Sequence, residues 1–244
     1  MMTRYRYTFL LLSAALVLPL AACQTTTGQT QQDKLGAVLE HAADEASDAG
    51  NAEQSLSLLE RSYKRDSGNL ALATKYAHAL RMADRLTRAT LVLSPFVNDG
   101  GKADAAAHVE YAATMVAMGT YDQAETHARE ALAMESENAQ AYHILGIALD
   151  ALGKHEEAEA SFRKGLEFWK GDPGPILNNL GLNLATQGFI DEAIDTLRKA
   201  AAVSPNRQEI ERNLRIVSAL QVQPPKTGFR LVPKPSRKPE NKAG

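Results

Sequence analysis

Residues 174–205 read GPILNNLGLNLATQGFIDEAIDTLRKAAAVSP, and this stretch carries the clearest signal of the chain's architecture. Gly188 separates two apolar segments, and each segment carries a small residue on its inner side, Gly181 in the first and Ala193 in the second. Small side chains at these two places let two antiparallel helices approach closely, while the larger residues fill the gaps to the next pair of helices. The stretch therefore predicts one pair of packed helices.

The same spacing is repeated along the chain. Four small residues lie 35, 34 and 35 residues apart in the sequence: Ala77, Ala112, Gly146 and Gly181. An alanine follows each of them after twelve residues, at Ala89, Ala124, Ala158 and Ala193. A period near 34 with this pattern resembles the tetratricopeptide repeat. Six positions define the family pattern, and the last repeat fills all of them, with Gly181, Gly188, Ala193, Leu197, Ala200 and Pro205. Earlier repeats depart from the pattern in places, with Asp84 where glycine is usual and Ser55 where alanine is usual.

The resemblance implies an all-α fold, a tetratricopeptide solenoid of about five helix pairs that spans residues 33–220. The predicted repeats start at Gly36, Leu70, Ala105, Ala139 and Gly174. A capping helix is predicted over 208–220, because Ile210, Leu214, Val217 and Leu220 recur at helical spacing. Residues 221–244, rich in proline with scattered lysine and arginine, are predicted to form a disordered tail.

The amino-terminal residues predict export. Arg4 and Arg6 precede an apolar run over 9–18, as in a secretory signal peptide, which we place at 1–22. Leu20-Ala21-Ala22-Cys23 resembles the bacterial lipobox, which implies cleavage before Cys23 and covalent attachment of lipid to it. An ordinary signal peptide with a chance cysteine is the alternative. Gln24, in place of aspartate, implies the outer membrane with the body facing the periplasm, and 23–32 read as a flexible tether.

Composition and spacing exclude several function classes. The chain holds 27 basic and 29 acidic residues, but six of the basic residues lie after residue 220, so the body is acidic and nucleic acid is not the expected ligand. Cys23 is the single cysteine, so no disulfide can form within the chain. The sequence contains no glycine-rich phosphate-binding loop. The six histidines include no pair spaced i,i+4 on one helix; they are His41, His78, His108, His127, His143 and His155. We therefore predict a protein that is not an enzyme and holds neither a metal nor a cofactor apart from the lipid.

The groove of the repeat array is the predicted binding site. In this fold positions 2, 5, 9, 12 and 13 of each first helix face the groove. The candidate partner-binding residues are Val109, Ala113, Val116, His143, Ile147, Asp150, Asn178 and Leu182. A mildly apolar groove with interspersed amides and one acid favours a helix or an extended segment of another protein as the ligand. The alternative is that neighbouring parts of the chain cover Val109 and Val116.

The combination of features resembles one family more closely. Residues 177–188 (LNNLGLNLATQG), 197–201 (LRKAA) and 211–214 (ERNL) are similar to the TadD lipoproteins of the tight-adherence (Flp) pilus system. The resemblance implies a pilotin-like adaptor that helps a secretin ring to assemble in the outer membrane. Another outer-membrane tetratricopeptide lipoprotein, which recruits cell-wall hydrolases or proteases or supports outer-membrane protein assembly, is the alternative.

Overall fold

Eleven α-helices make up nearly all of the part of the chain that the computed structural model describes, residues 26–98 and 102–222. In chain order they are α1 (Thr26–Asp48), α2 (Ala52–Arg65), α3 (Leu70–Met82), α4 (Leu86–Val97), α5 (Ala105–Met118), α6 (Tyr121–Met134), α7 (Ala139–Ala151), α8 (His155–Phe168), α9 (Gly174–Thr186), α10 (Ile190–Val203) and α11 (Gln208–Val222). They form five pairs of helices followed by one more helix, which confirms the predicted all-α repeat fold. None of the helices within the described ranges combines the length and the apolar character that a membrane span requires.

The first helices of four pairs begin where the repeats were predicted to begin, at Leu70, Ala105, Ala139 and Gly174. Three of these starts have a side-chain cap from the preceding residue. The side-chain oxygens of Asn69, Asp104 and Asn138 each accept a hydrogen bond from the backbone N–H three residues later, at 3.1, 2.8 and 2.9 Å. Such a cap satisfies one of the free donors of the first turn, so the boundary is determined locally.

A left-handed residue reverses the chain inside each of these pairs. Gly119, Gly153 and Gly188 have φ values of 75°, 77° and 87°, a region that glycine enters without steric cost. Asp84, which replaces glycine in the α3/α4 turn, has a φ of 57°. The turn therefore keeps its conformation in this pair although the residue there carries a side chain.

The chain divides into two compact units, 1–66 and 67–244. In the first unit α1 packs against α2, and Leu39, Ala43, Leu56 and Leu59 are buried. Helix α1 begins at Thr26, so residues 26–32 belong to the helix, where the sequence predicted a flexible tether. Extending an existing helix costs much less free energy than starting one, and this segment contains no proline to stop it.

In the second unit, α3 to α11 pack in order around a core that is richest between α5 and α11. Close packing explains the glycine at the inner position of α7 and α9: a Cβ on Gly146 would lie 2.5 Å from Cε1 of Phe162, and a Cβ on Gly181 would lie 2.6 Å from Cγ of Leu197. Large side chains of the second helix thus fill the space that the glycine leaves, and both pairs close tightly.

Helix α11 caps the array by packing on α9 and α10. Ile210 and Val217 are buried and Leu214 packs against the core, as predicted, whereas Leu220 at the end of the expected stripe is exposed. Helix α11 ends at Val222, so it includes the first two residues of the predicted disordered tail. The predictions for the signal peptide, for Cys23 and for residues 223–244 concern residues outside the described ranges.

Candidate functional site

The eight predicted partner-binding residues occupy equivalent positions on three neighbouring helices. Helix α5 contacts α7, and α7 contacts α9, so the first helices of these pairs lie side by side. Residues at positions 5, 9 and 12 share one side of a helix. We call the surface that these positions form the first-helix face, which comprises Val109, Ala113 and Val116 of α5, His143, Ile147 and Asp150 of α7, and Asn178 and Leu182 of α9.

The five apolar members of the first-helix face are neither fully buried nor fully exposed. Each packs its inner side against the main core and leaves part of its surface accessible; they are Val109, Ala113, Val116, Ile147 and Leu182. The described part of the chain therefore does not cover Val109 and Val116 completely. An accessible apolar row that is anchored on a rigid core is suited to apolar contact with another chain.

The polar members are joined to other helices by hydrogen bonds. Asn213 of α11 donates from Nδ2 to Oδ1 of Asn178 at 2.8 Å, and Asn178 donates to Oδ1 of Asn179 at 3.2 Å. Asn179 in turn donates from Nδ2 to Nε2 of His143 on α7 at 2.9 Å. We call this chain of four side chains the amide ladder. It links α7, α9 and α11, so these polar groups hold successive repeats in register.

His143 is the most strongly perturbed ionisable group of the face. The residue is 9% exposed, and its ring centroid lies 6.1 Å from that of Phe162 and 5.4 Å from that of Trp169, which it meets edge-on. Burial lowers the pKa of His143 from 6.5 to about 4. The amide nitrogen of Asn179 can only donate, so Nε2 of His143 accepts and the neutral ring carries its proton on Nδ1.

A second polar cluster surrounds Asp150. Its Oδ1 accepts hydrogen bonds of 2.7 Å from Nδ2 of Asn183 and 2.7 Å from Nδ1 of His155. Asn183 is fully buried, and its Oδ1 accepts from Gln187, which also donates to the buried carboxylate of Glu159. Because both hydrogen bonds of Asp150 to described residues use Oδ1, the Oδ2 atom of this partly exposed side chain is left as an acceptor for a ligand.

Two further clusters were missed by the sequence reasoning. The carboxylate of Glu110 on α5 is nearly buried, and it accepts from Nε of Arg81 at 2.6 Å and contacts Nδ1 of His78 at 3.0 Å, both on α3. Despite its burial, these partners keep the pKa of Glu110 below its ordinary value. The cluster joins the first helices of two pairs, 29 residues apart in sequence.

The other cluster joins the two helices of a single pair. His108 on α5 and His127 and Glu130 on α6 bring their side-chain ligand atoms within 4.8 Å of one another. The sequence search considered only histidines on the same helix and therefore missed this arrangement. The repeat register places His108 and His127 on the two helices of one pair, but it does not give the rotation of the helices that brings the two rings together.

Comparison with known proteins supports the fold. Residues 114–173 match the sequence model of the tetratricopeptide repeat. No curated protein matches the chain significantly.

Solved structures agree with this assignment. The chain is similar to a thermophilic TPR protein of Thermus thermophilus, with a TM-score of 0.64 and 17% identity over 75% of this chain and 99% of that one. It is similar to MamA of Desulfovibrio magneticus RS-1, with a TM-score of 0.56 and 17% identity over 71% and 97%. It is also similar to YrrB, described as a TPR protein with an unusual peptide-binding site, with a TM-score of 0.54 and 16% identity over 79% and 98%. Identities this low reflect a shared fold alone, so the chain has the tetratricopeptide-repeat fold.

Proposed function

We propose that this protein is a membrane-anchored periplasmic adaptor that holds a protein partner on the first-helix face, and that it serves as a pilotin-like factor for the secretin of a tight-adherence (Flp) pilus. Tetratricopeptide repeats are scaffolds for protein–protein interaction, and that coarser role follows from the fold. The choice of the first-helix face as the binding surface rests on one observation above all, the accessible apolar row on α5, α7 and α9.

The apolar row favours a peptide segment over a small molecule. Its central members, Ala113, Ile147 and Leu182, occupy the same position on the first helices of three successive pairs. Neighbouring packed helices lie about 8–10 Å apart, so three of them present a strip about 20 Å long. A helix or an extended segment can cover such a strip, whereas a compact ligand would contact only one step of it.

The polar groups of the first-helix face are preorganised for binding. The amide ladder holds Asn178, Asn179 and His143 in fixed positions, so a partner that contacts them has little side-chain entropy to remove. The Oδ2 atom of Asp150 is a charged acceptor beside the apolar row and favours a partner with a donor or a basic residue there. The similarity to YrrB, whose description includes a peptide-binding site, is compatible with this use of the fold.

The anchor and the pilus assignment rest on sequence resemblance. Cys23 in its lipobox would attach the chain to the outer membrane, with the repeat array facing the periplasm. The stretches 177–188, 197–201 and 211–214 carry the similarity to the TadD lipoproteins. An anchored array with an apolar peptide-binding face is suited to escorting a membrane-bound ring subunit, because the lipid would attach to the membrane while the repeats bind the cargo.

Site-specific photocrosslinking in the native envelope tests the proposal. A photoreactive residue replaces Gln140, which lies at position 2 of α7 beside the first-helix face, and a matched control carries it at Lys199, exposed on the second helix α10. We expect a secretin adduct from position 140 and none from position 199. An Ile147→Asp background should abolish the adduct, because a charge in the apolar row is left without water on binding.

Circular dichroism and a thermal melt accompany each variant, so that loss of binding is separated from loss of fold. Val203→Asp, which introduces the same charge at an exposed apolar position of α10, is the matched control and should retain the adduct. A secretin adduct that persists in the folded Ile147→Asp protein would refute the first-helix face as the site. Adducts with cell-wall hydrolases, proteases or the outer-membrane insertion machinery, with no pilus component, would favour the alternative adaptor role.

A further inference from the structure

His108, His127 and Glu130 bring three ligand atoms close together. Nδ1 of His108 lies 3.1 Å from Nδ1 of His127, and Oε2 of Glu130 lies 3.0 Å from the first nitrogen and 2.8 Å from the second. Two imidazoles and one carboxylate are the ligand set that zinc uses in open, three-residue protein sites. The three residues are drawn from the facing helices α5 and α6.

The spacing of these atoms suits a small cation. Zinc bonds to nitrogen and oxygen of about 2.0–2.2 Å, at tetrahedral angles, separate neighbouring ligand atoms by about 3.3 Å. The observed triangle has sides of 2.8–3.1 Å, so it would open by only a few tenths of an ångström to seat the ion. Rotation of the exposed Glu130 side chain can lengthen the two sides that end on its oxygen, and a small tilt of either ring can lengthen the side between the two nitrogens.

Hydrogen bonds alone do not satisfy the same three atoms. If both rings carry a proton on Nδ1, the two N–H groups donate to one oxygen and face each other across 3.1 Å. If one ring keeps its Nδ1 lone pair, that lone pair faces the negative oxygen of Glu130 at about 3 Å instead. A cation bound to all three atoms, slightly out of their plane, would replace these repulsive contacts with attractive ones.

The surroundings prepare the histidines as ligands. Desolvation by burial is the largest influence on His108 and lowers its pKa. His127 adds to this lowering, whereas the carboxylates of Glu130 and Asp104 oppose it, and the same two carboxylates would balance the charge of a divalent ion. The ring of Tyr111 lies edge-on to that of His127 at 4.7 Å and supports its orientation.

Access and rigidity also fit a site. The side chains of His108 and His127 are 6% and 14% exposed, whereas that of Glu130 is 46% exposed. The two rings are held in the helix pair while the carboxylate opens to solvent. An ion can therefore enter past Glu130, and a water molecule can take the fourth position.

We propose that His108, His127 and Glu130 form a binding site for a divalent transition-metal ion, with zinc as the best match to the ligand set. The ion would join α5 to α6 within the third repeat. This site is separate from the first-helix face and does not depend on the identity of the partner.

Isothermal titration of the metal-stripped full chain with Zn²⁺ tests the proposal. We expect the wild type to bind an ion that Glu130→Gln and His127→Ala bind at least about tenfold more weakly, since each removes one of three ligands. Glu130→Gln keeps the size of a nearly half-exposed side chain, so it tests the site even if His127→Ala folds poorly. His41→Ala removes a histidine that pairs with Glu45 on the surface of α1, and it should bind as the wild type does.

Two further readouts identify the site. Co²⁺ should give the visible absorption of a low-coordinate nitrogen and oxygen site in the wild type, and this band should be lost in Glu130→Gln. Zn²⁺ should raise the thermal midpoint of the wild type, because it binds the folded chain in preference to the unfolded one, and should leave that of Glu130→Gln unchanged. The proposal is overturned by absence of binding, by equal affinity in the wild type and both site variants, or by binding with no rise in the midpoint.

Discussion

Acidification should weaken the second unit of the chain through His143. The ring is buried between Phe162 and Trp169, and its Nε2 accepts the last hydrogen bond of the amide ladder. A proton on Nε2 would place a positive charge in this apolar environment. It would also convert Nε2 from an acceptor into a donor, so the hydrogen bond from the N–H of Asn179 would be lost. The folded chain therefore holds His143 neutral, whereas the unfolded chain exposes it to water.

The pKa shift gives the size and the sign of the effect. Folding lowers the pKa of His143 from 6.5 to about 4, and one pKa unit corresponds to about 1.4 kcal/mol. The complete shift is thus worth about 3 kcal/mol of stability. Because the folded-state pKa lies below the unfolded one, this contribution is fully present above about pH 6.5 and is lost as the pH falls towards 4. Near pH 4.5 about 2.5 kcal/mol of it is gone.

Urea unfolding, followed by circular dichroism at several pH values in this window, measures the loss. His108 also has a lowered pKa and contributes to the wild-type slope, so the informative quantity is the difference between wild type and His143→Gln. Glutamine does not titrate here, and its carbonyl can still accept from Asn179. We expect the variant to lose about 2–3 kcal/mol less than the wild type between pH 7 and pH 4.5.

His41→Gln is the matched control, since its side chain is 76% exposed on α1, and it should lose stability as the wild type does. Nuclear magnetic resonance titration of His143 reads the pKa of the ring directly. A ring that titrates near 6.5, or a His143→Gln protein with the same pH slope as the wild type, would refute both the burial of His143 and the amide ladder that ends on it.

Three further predictions concern stability at neutral pH, each measured by urea unfolding. Gly146→Ala should lower the free energy of unfolding by about 1–2 kcal/mol, because the new Cβ meets the ring of Phe162 at 2.5 Å and this outweighs the gain in helix propensity; a gain in stability would contradict the close packing. Asp84→Gly should raise the free energy of unfolding by up to about 1 kcal/mol, since glycine adopts the φ of 57° without strain, and a loss there would show that the aspartate side chain stabilises the turn. Glu110→Gln should lower it by about 1–3 kcal/mol, because the nearly buried carboxylate loses its charge-assisted bonds to Arg81, and an unchanged value would mean that water already compensates the pair.

Local features of the sequence were enough to predict the repeats. Glycine and alanine at fixed positions in the repeat predicted the helix pairs. Leu70, Ala105 and Ala139 were predicted to start repeats, and in the structure a helix begins at each of these residues. Helix propensity, caps and turns act over a few residues, so the sequence carries this information directly. At the amino-terminal side the same reasoning stopped short, because the composition of 26–32 suggested a tether and a neighbouring helix extended through it.

The sequence also placed the candidate binding residues on one face, since position within a repeat determines which side of a helix a residue occupies. It did not reveal what those residues contact. His143 and Asn178 were expected to meet a partner, and both are hydrogen-bonded within the amide ladder, to residues 36 and 35 positions away. Whether they also contact a bound protein stays a prediction.

The helix pair and its period could be read from the chain directly, because each depends on interactions between residues close in sequence. The contacts between side chains of different helices could be identified only from the tertiary structure; they are those of Glu110 with Arg81, Asp150 with Asn183, and His108 with His127. These contacts depend on the rotation and offset of one helix against the next, and a shift of about one ångström decides whether two polar atoms form a hydrogen bond. Such offsets arise from the fit of many packed side chains at once, and they cannot be read from any one of them.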